Sequence, residues 1–180
     1  IAGYQLQRSI DTGAWTATAS TSASLRTATL TLSVGHTARF RVRAEDTSGS
    51  WSDWVAGPTF TTSLVSDRST PVSYSGTWTK ALYAPATNGY TTYATAAGAR
   101  ARFTFTGRAI ALVAPMGPTR GSATIYVDGV SRGAVSFKAA AGQSRLIMFA
   151  TTFATVGSHA IEVRVAGNGR VDVDGFVIFR

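Results

Sequence analysis

The chain of 180 residues has no cysteine, which excludes thiol catalysis, disulfides and cysteine-ligated zinc and leaves the redox compartment open. Charge is scarce as well, at 14% of residues, with nine acidic side chains in all. Lysine occurs only at Lys80 and Lys138, so arginine supplies the rest of the 17 basic residues behind the net charge of +8. No apolar run approaches the roughly 18 residues of a membrane-spanning helix. No secretory leader is legible and the first residue is Ile1, so a fragment or a processed product is expected. Hydrophobic residues still make up 44% of the chain, enough for a folded protein.

What is present is a period of two. Phe40, Val42 and Ala44 alternate with Arg39, Arg41 and Arg43, and Ala101, Phe103 and Phe105 with Arg100, Arg102 and Thr104. Ile125 and Val127 alternate with Thr124 and Tyr126, and Ile161, Val163 and Val165 with Glu162 and Arg164. Successive strand side chains point to opposite faces, so each run buries one face and wets the other. Turn chemistry separates the runs at Asp11-Thr12-Gly13, Ser48-Gly49-Ser50, Asn88-Gly89, Asp128-Gly129 and Gly167-Asn168-Gly169. No helical period is sustained anywhere. The expected fold is all-β and antiparallel, a sandwich or barrel. A polar, turn-prone stretch around Thr61 to Thr70 divides residues 1–63 from residues 64–180.

The basic residues are spread singly along the chain, without the dense cluster and groove-reading element of a nucleic-acid binder. No nucleic-acid partner is expected. Arg39, Arg41 and Arg43 form a row on one strand face that could read an acidic polymer. The plainer reading is a solvated ladder with Gln5 and Gln7 beside it on the next strand.

Ile1 to Ser9, and Leu32 to Asp46 followed by Gly49-Ser50-Trp51-Ser52, resemble the third and penultimate strands of a fibronectin type III domain. Two departures stand out. Ala38 occupies the place of the corner tyrosine usual in that family, and the two strands that open the family's domain have no counterpart after Ile1. The resemblance therefore implies a partial fibronectin type III-like sandwich over residues 1–63. Tyr4, Leu6, Phe40 and Val42 would lie uncovered along an open edge, unless a neighbouring chain or domain covers them.

In residues 64–180 the signals run in order. They are Tyr74 to Trp78, Phe103 to Gly107, Ile110 to Val113, Gly117 to Ala123, Ile125 to Gly129, Gly157 to Val163 and Val171 to Phe176. Together they resemble the galactose-binding-like jelly rolls appended to bacterial extracellular enzymes and surface proteins. That likeness implies a jelly-roll β-sandwich, and carbohydrate-binding modules are the commonest functional class of that fold. Sugar binding needs an aromatic face for the C–H side of a pyranose and fixed donors and acceptors for its hydroxyls. Trp78, Tyr83, Asn88, Tyr90 and Tyr93 crowd one stretch, and Arg120 sits in a Gly/Pro-rich loop. These six are the candidate ligand-binding residues, with Trp78 equally suited to plug the end of the core.

Asp172 and Asp174, two apart on a strand, are expected to share a face, as a carboxylate pair or as calcium ligands. The resemblance implies structural calcium between the last strand and acidic residues near the start, where only Asp67 is available. No catalytic residue is assigned: there is no nucleophile elbow, HExxH or phosphate loop, and no carboxylate pair in a glycosidase frame. His36 and His159, each following a glycine-led turn into a strand, read as local hydrogen-bonding groups. The sequence thus points to a non-catalytic carbohydrate-binding or adhesive accessory module of a secreted or cell-surface protein. The alternative is a structural or protein-contact module, such as the repeating unit of a cell-surface filament completed by strand donation.

Overall fold

A computed structural model describes residues 1–24 and 27–180. Every regular element among them is a β-strand, and every pairing between the named strands described below is antiparallel. The chain divides into two compact units, Ile1–Thr62 and Ser63–Arg180.

The first unit is one sheet. Strand β1 (Gly3–Ile10) lies between β2 (Thr16–Ser22) and β3 (Thr37–Glu45). β3 also carries the short β4 (Val55–Ala56) and the opening residues of β5 (Phe60–Ser66). The register places Gln5 opposite Arg43, Gln7 opposite Arg41 and Leu6 opposite Val42. One face therefore carries Gln5, Gln7, Arg39, Arg41 and Arg43, and the other Tyr4, Leu6, Phe40 and Val42. On that apolar face Tyr4, Leu6 and Phe40 are half-buried, and Val42 is 39% exposed.

The second unit is sandwich-like and has a filled core. Its larger sheet runs β11 (Val130–Ser136), β10 (Ser122–Val127), β12 (Gln143–Val165), β9 (Arg100–Met116) and β14 (Gly175–Phe179). β6 (Val72–Ser75) pairs with the first half of β9 and β14 with the second half. The smaller sheet runs β13 (Val171–Val173), β8 (Tyr90–Ala94) and β7 (Thr79–Leu82). Ala101, Phe103 and Phe105 alternate inward along β9 as their period demands, with Phe103 stacked 4.9 Å from Phe176. From Ile110 to Pro115 the strand is covered on both faces, so its apolar run is continuous there.

The turns obey their residues. Asp128 and Gly129 take φ of 52° and 80°, the two-residue hairpin turn that an Asp-Gly pair favours between β10 and β11. Each unit also repeats one latch. Asp11 accepts hydrogen bonds from His36 Nδ1 at 2.6 Å and from the Thr37 N–H at 2.9 Å. Asp128 accepts them from His159 Nδ1 at 2.7 Å and from the Ala160 N–H at 2.8 Å. The His36 bond, then the Thr37 N–H, hold the Asp11 carboxyl below its ordinary value. At Asp128 burial pushes upward, but the Ala160 and His159 bonds prevail and its carboxyl is lowered too.

Candidate functional site

In the second unit the six sequence-predicted ligand residues fall into three places. Tyr83, Asn88 and Tyr90 come together on the hairpin joining β7 to β8. Its loop is closed by the Tyr83 N–H donating to Gly89 O at 2.9 Å, the Ala86 N–H to Tyr83 O at 2.8 Å and the Gly89 N–H to Ala86 O at 3.0 Å. Asn88 and Gly89 both take positive φ, which reverses the chain so tightly that Leu82 pairs with Tyr90. Tyr83 and Tyr90 are half-buried, Asn88 is exposed, and Lys80 Nζ stands 3.4 Å from the centre of the Tyr90 ring. Leu82, at 77% exposure, adds apolar surface at the same rim.

Tyr93 and Arg120 belong to a different constellation, because strand alternation turns Tyr93 to the face opposite Tyr90. Tyr93 lies 3.8 Å under the Arg170 guanidinium. Arg170 grips Asp172 through Nε at 2.9 and 3.0 Å and through Nη2 at 2.5 Å. Thr91 donates to the same carboxylate at 2.8 Å. Arg120 Nε approaches Asp172 from the other side at 2.6 Å, an ion contact whose N–H is not aimed at the oxygen. The two arginines converge because their loops touch through glycines. A Cβ on Gly121 would meet the Gly169 nitrogen at 2.7 Å, and one on Gly169 would meet the Gly121 nitrogen at 2.8 Å. Trp78 stands apart from both groups. It packs against the core with its ring 4.9 Å from Tyr74, and its N–H donates to Ser75 O at 3.2 Å.

Asp172 and Asp174 do not act as a pair, contrary to the sequence expectation. The chain leaves the smaller sheet after Val173 and joins the larger one at Gly175, so the alternation is reset at Asp174. Asp172 is spent on the two arginines. Asp174 turns to the hairpin loop and accepts the Thr87 N–H at 2.8 Å. Near it lies Asp67, which accepts from the Thr92 hydroxyl. Burial raises both carboxyls above their ordinary value. It outweighs the Thr92 bond at Asp67, where the Asp174 charge adds to the rise, and the Thr87 N–H bond at Asp174.

Asp174 Oδ2 and Thr87 Oγ1 are buried without a hydrogen-bond partner among the described residues. These orphaned oxygens, with Asp67, are the hard donors that calcium takes. The fit is partial. No group of three or more His, Cys, Asp or Glu side chains gathers for a metal among the described residues, so backbone carbonyls and water would have to complete the shell.

The outer face of the larger sheet holds a further pocket of about 270 Å³, lined by Arg102, Tyr126, Asp128, Glu162 and Arg164. Arg164 covers one face of Tyr126 at 4.1 Å and bonds Glu162 at 2.7 Å, so its polar groups are largely engaged with one another.

In the first unit the structure shows what sequence reasoning missed. Arg41 and Arg43 are half-buried and do not form a freely solvated ladder, and of the three only Arg39 is exposed. Arg41 lies 4.5 Å from the Trp15 ring and 4.4 Å from Trp54, and Arg43 lies 4.6 Å from Trp54 and 4.4 Å from Trp51. The tryptophans lie outside the alternating runs, so a period-two reading passes over them. The signal available was the pair Trp51 and Trp54, just after an arginine-rich strand.

No protein-family model matches the chain, and no curated protein matches it. Solved structures do resemble it. The catalytic domain of a GH87 alpha-1,3-glucanase in complex with nigerose is 17% identical at a TM-score of 0.46, over 65% of this chain and 28% of that one. A family two carbohydrate esterase from Cellvibrio japonicus is 12% identical at 0.49, over 67% of this chain and 34% of that one. The CBM36-1 domain of a multidomain xylanase from the hindgut metagenome of Trinervitermes trinervoides is 12% identical at 0.46, over 65% of this chain and 95% of that domain. The chain thus spans little more than a quarter of the glucanase domain. At these identities and scores the likenesses carry no argument about ligand or activity, which must come from the residues.

Proposed function

We propose that the chain is a non-catalytic carbohydrate-binding accessory part of a secreted or cell-surface protein. Its second unit is then a galactose-binding-like jelly roll, and its first a partial fibronectin type III-like domain with an adhesive or spacing role. The observation that carries the reading is the β7–β8 hairpin. It carries two half-buried tyrosines, an exposed amide and an ammonium group that lies over Tyr90, on a loop held by the Thr87 N–H bond to Asp174. Tyr83 and the face of Tyr90 away from Lys80 can lie against the C–H face of a pyranose while Asn88 reaches its hydroxyls. Such a loop ordered in advance adds little entropy cost to binding.

The non-catalytic part of the reading rests on the carboxylates. Glycoside hydrolysis needs two of them flanking an open cleft. Here Asp67, Asp172 and Asp174 are 2%, 0% and 0% exposed, shut beneath threonines, arginines and the hairpin loop, and in the pocket on the larger sheet Asp128 is engaged by His159 and Glu162 by Arg164. The test is a glycan array followed by titration calorimetry against a neutral polysaccharide at two salt concentrations. Tyr83→Ala with Tyr90→Ala should weaken binding about tenfold, in keeping with one or two lost stacking contacts. Changing the salt should leave the affinity of the unaltered chain nearly constant. Absence of any neutral-glycan binding, or binding abolished by salt, would count against the proposal.

The apolar face of the first sheet favours a second reading, in which another protein chain covers Tyr4, Leu6, Phe40 and Val42. Sedimentation of the chain across a concentration series distinguishes the two. Concentration-dependent assembly abolished by Leu6→Ser with Val42→Ser would favour the structural module.

A further inference from the structure

Arg39, Arg41 and Arg43 occupy alternate positions of β3, share one face and stand about 6.7 Å apart along the strand. Trp15 and Trp54 flank the Arg41 guanidinium and Trp54 and Trp51 that of Arg43, each at 4.4 to 4.6 Å from its carbon to the ring centre, which restrains both groups. Arg41 gives Nε and Nη2 to Gln7 Oε1 at 2.9 and 2.6 Å, and Arg43 gives Nε to Gln5 Oε1 at 2.8 Å. Arg39 gives Nε to Gly57 O at 2.9 Å. All these acceptors are neutral, so they orient the cations without cancelling them. Among the described residues no carboxylate forms an ion pair with any of the three, although Glu45 follows on the same face. At the Trp15 end of the row lies a surface pocket of about 240 Å³, lined by Trp15, Arg39 and the hydroxyl residues Ser9, Thr12, Thr37 and Thr59.

We propose that this face binds an anionic polysaccharide, a polymer of uronic-acid sugars. The outer Nη groups of Arg39, Arg41 and Arg43, beyond the bonds to Gly57, Gln7 and Gln5, take successive carboxylates, and a pyranose ring enters the pocket against Trp15. A guanidinium held in plane presents paired N–H groups in the geometry of a carboxylate, and three in a row match a repeating anion. Single-stranded nucleic acid fits less well, because its bases need open aromatic faces. Here Trp54 is occupied by two guanidiniums, so no continuous row of open rings runs from Trp15, which lines the pocket, to Trp51. This inference concerns the first unit and a charged ligand, so it stands or falls separately from neutral-glycan binding by the second.

The experiment is titration of the full chain with polygalacturonate, methyl-esterified polygalacturonate and oligo-dT, at low and raised salt. Polygalacturonate should bind, weakening about tenfold or more as salt screens the contacts. The methyl ester, the same backbone without charge, should not bind this face. Arg41→Gln with Arg43→Gln should weaken polygalacturonate binding about tenfold or more. That pair also removes the ring contacts, so Arg39→Gln and Thr59→Trp, which leave the stack intact, are the deciding variants. The first removes one fork and the second fills the pocket, and each should weaken binding severalfold with circular dichroism unchanged. Failure of polygalacturonate to bind overturns the proposal. So does binding indifferent to both Arg39→Gln and Thr59→Trp, or oligo-dT binding as tight through the same arginines.

Discussion

In the first unit Arg41 and Arg43 are held by tryptophan rings and glutamine oxygens; in the second, Arg120 and Arg170 are held by the carboxylate of Asp172. Both arrangements flatten and orient a guanidinium, with opposite consequences for its charge. A ring and an amide leave the cation free to meet an external anion, whereas a buried carboxylate spends it internally. The units also differ in what they bury. The second encloses Phe103, Phe137, Phe176 and a set of isoleucines and valines between two sheets. In the first, Ala38 is the sole fully buried apolar side chain among the described residues.

That contrast can be broken by hydrogen exchange. Amides of β9 and β14 should open only with global unfolding, on the order of 5–10 kcal/mol. Those of β3 should open several kcal/mol more easily, since their cover is one layer of side chains. Equal protection would mean that the first unit draws on support that its burial does not show.

Asp172→Ala should be the most damaging single change at the second unit's clamp. It leaves Arg120 and Arg170 facing each other without their anion, at a cost of about 3–5 kcal/mol in a urea melt. Trp54→Ala sharpens the other side of the comparison. It removes one ring from between two partly exposed guanidiniums, and should destabilise the first unit by about 1–2 kcal/mol while leaving the second unit's melt in place. A larger effect on the second unit than on the first would show that the stack serves more than its own sheet.

The smallest effect is a pH slope. Burial raises the carboxyls of Asp67 and Asp174, so the folded second unit keeps protons there that the unfolded chain releases near 3.8. This contribution to stability is complete below that ordinary value and is lost as pH rises through the raised folded values. Asp67→Asn with Asp174→Asn should flatten the decline of unfolding temperature with pH. Calcium at neutral pH should replace the missing protons and raise that temperature in the unaltered chain, and chelation should reverse the gain. An unchanged unfolding temperature on adding calcium would remove the metal from the account.

Much of the architecture was legible because period two is a local property. Ala101, Phe103 and Phe105 point inward as their alternation requires, and Asp128-Gly129 turns the chain as that dipeptide favours. The candidate site was legible only in part. Tyr83, Asn88 and Tyr90 share a hairpin because eight residues and one turn place them there, but Tyr93, three positions on from Tyr90, faces the other way. Asp172 and Asp174 looked like partners at spacing two, and the change of sheet between them sends each to different groups.

The sequence by itself determined which segments form strands, where they turn, and which side chains of each strand share a face. Those outcomes depend on backbone stereochemistry and near neighbours. Tertiary structure alone decided which faces meet. It carried Arg120 and Arg170, 50 positions apart, onto one buried carboxylate through two glycine contacts, and set three tryptophans from two loops against Arg41 and Arg43. The physical reason is that pairing charge with carboxylate, or guanidinium with ring, depends on separation in space, on which spacing along a chain is silent once strands change sheets.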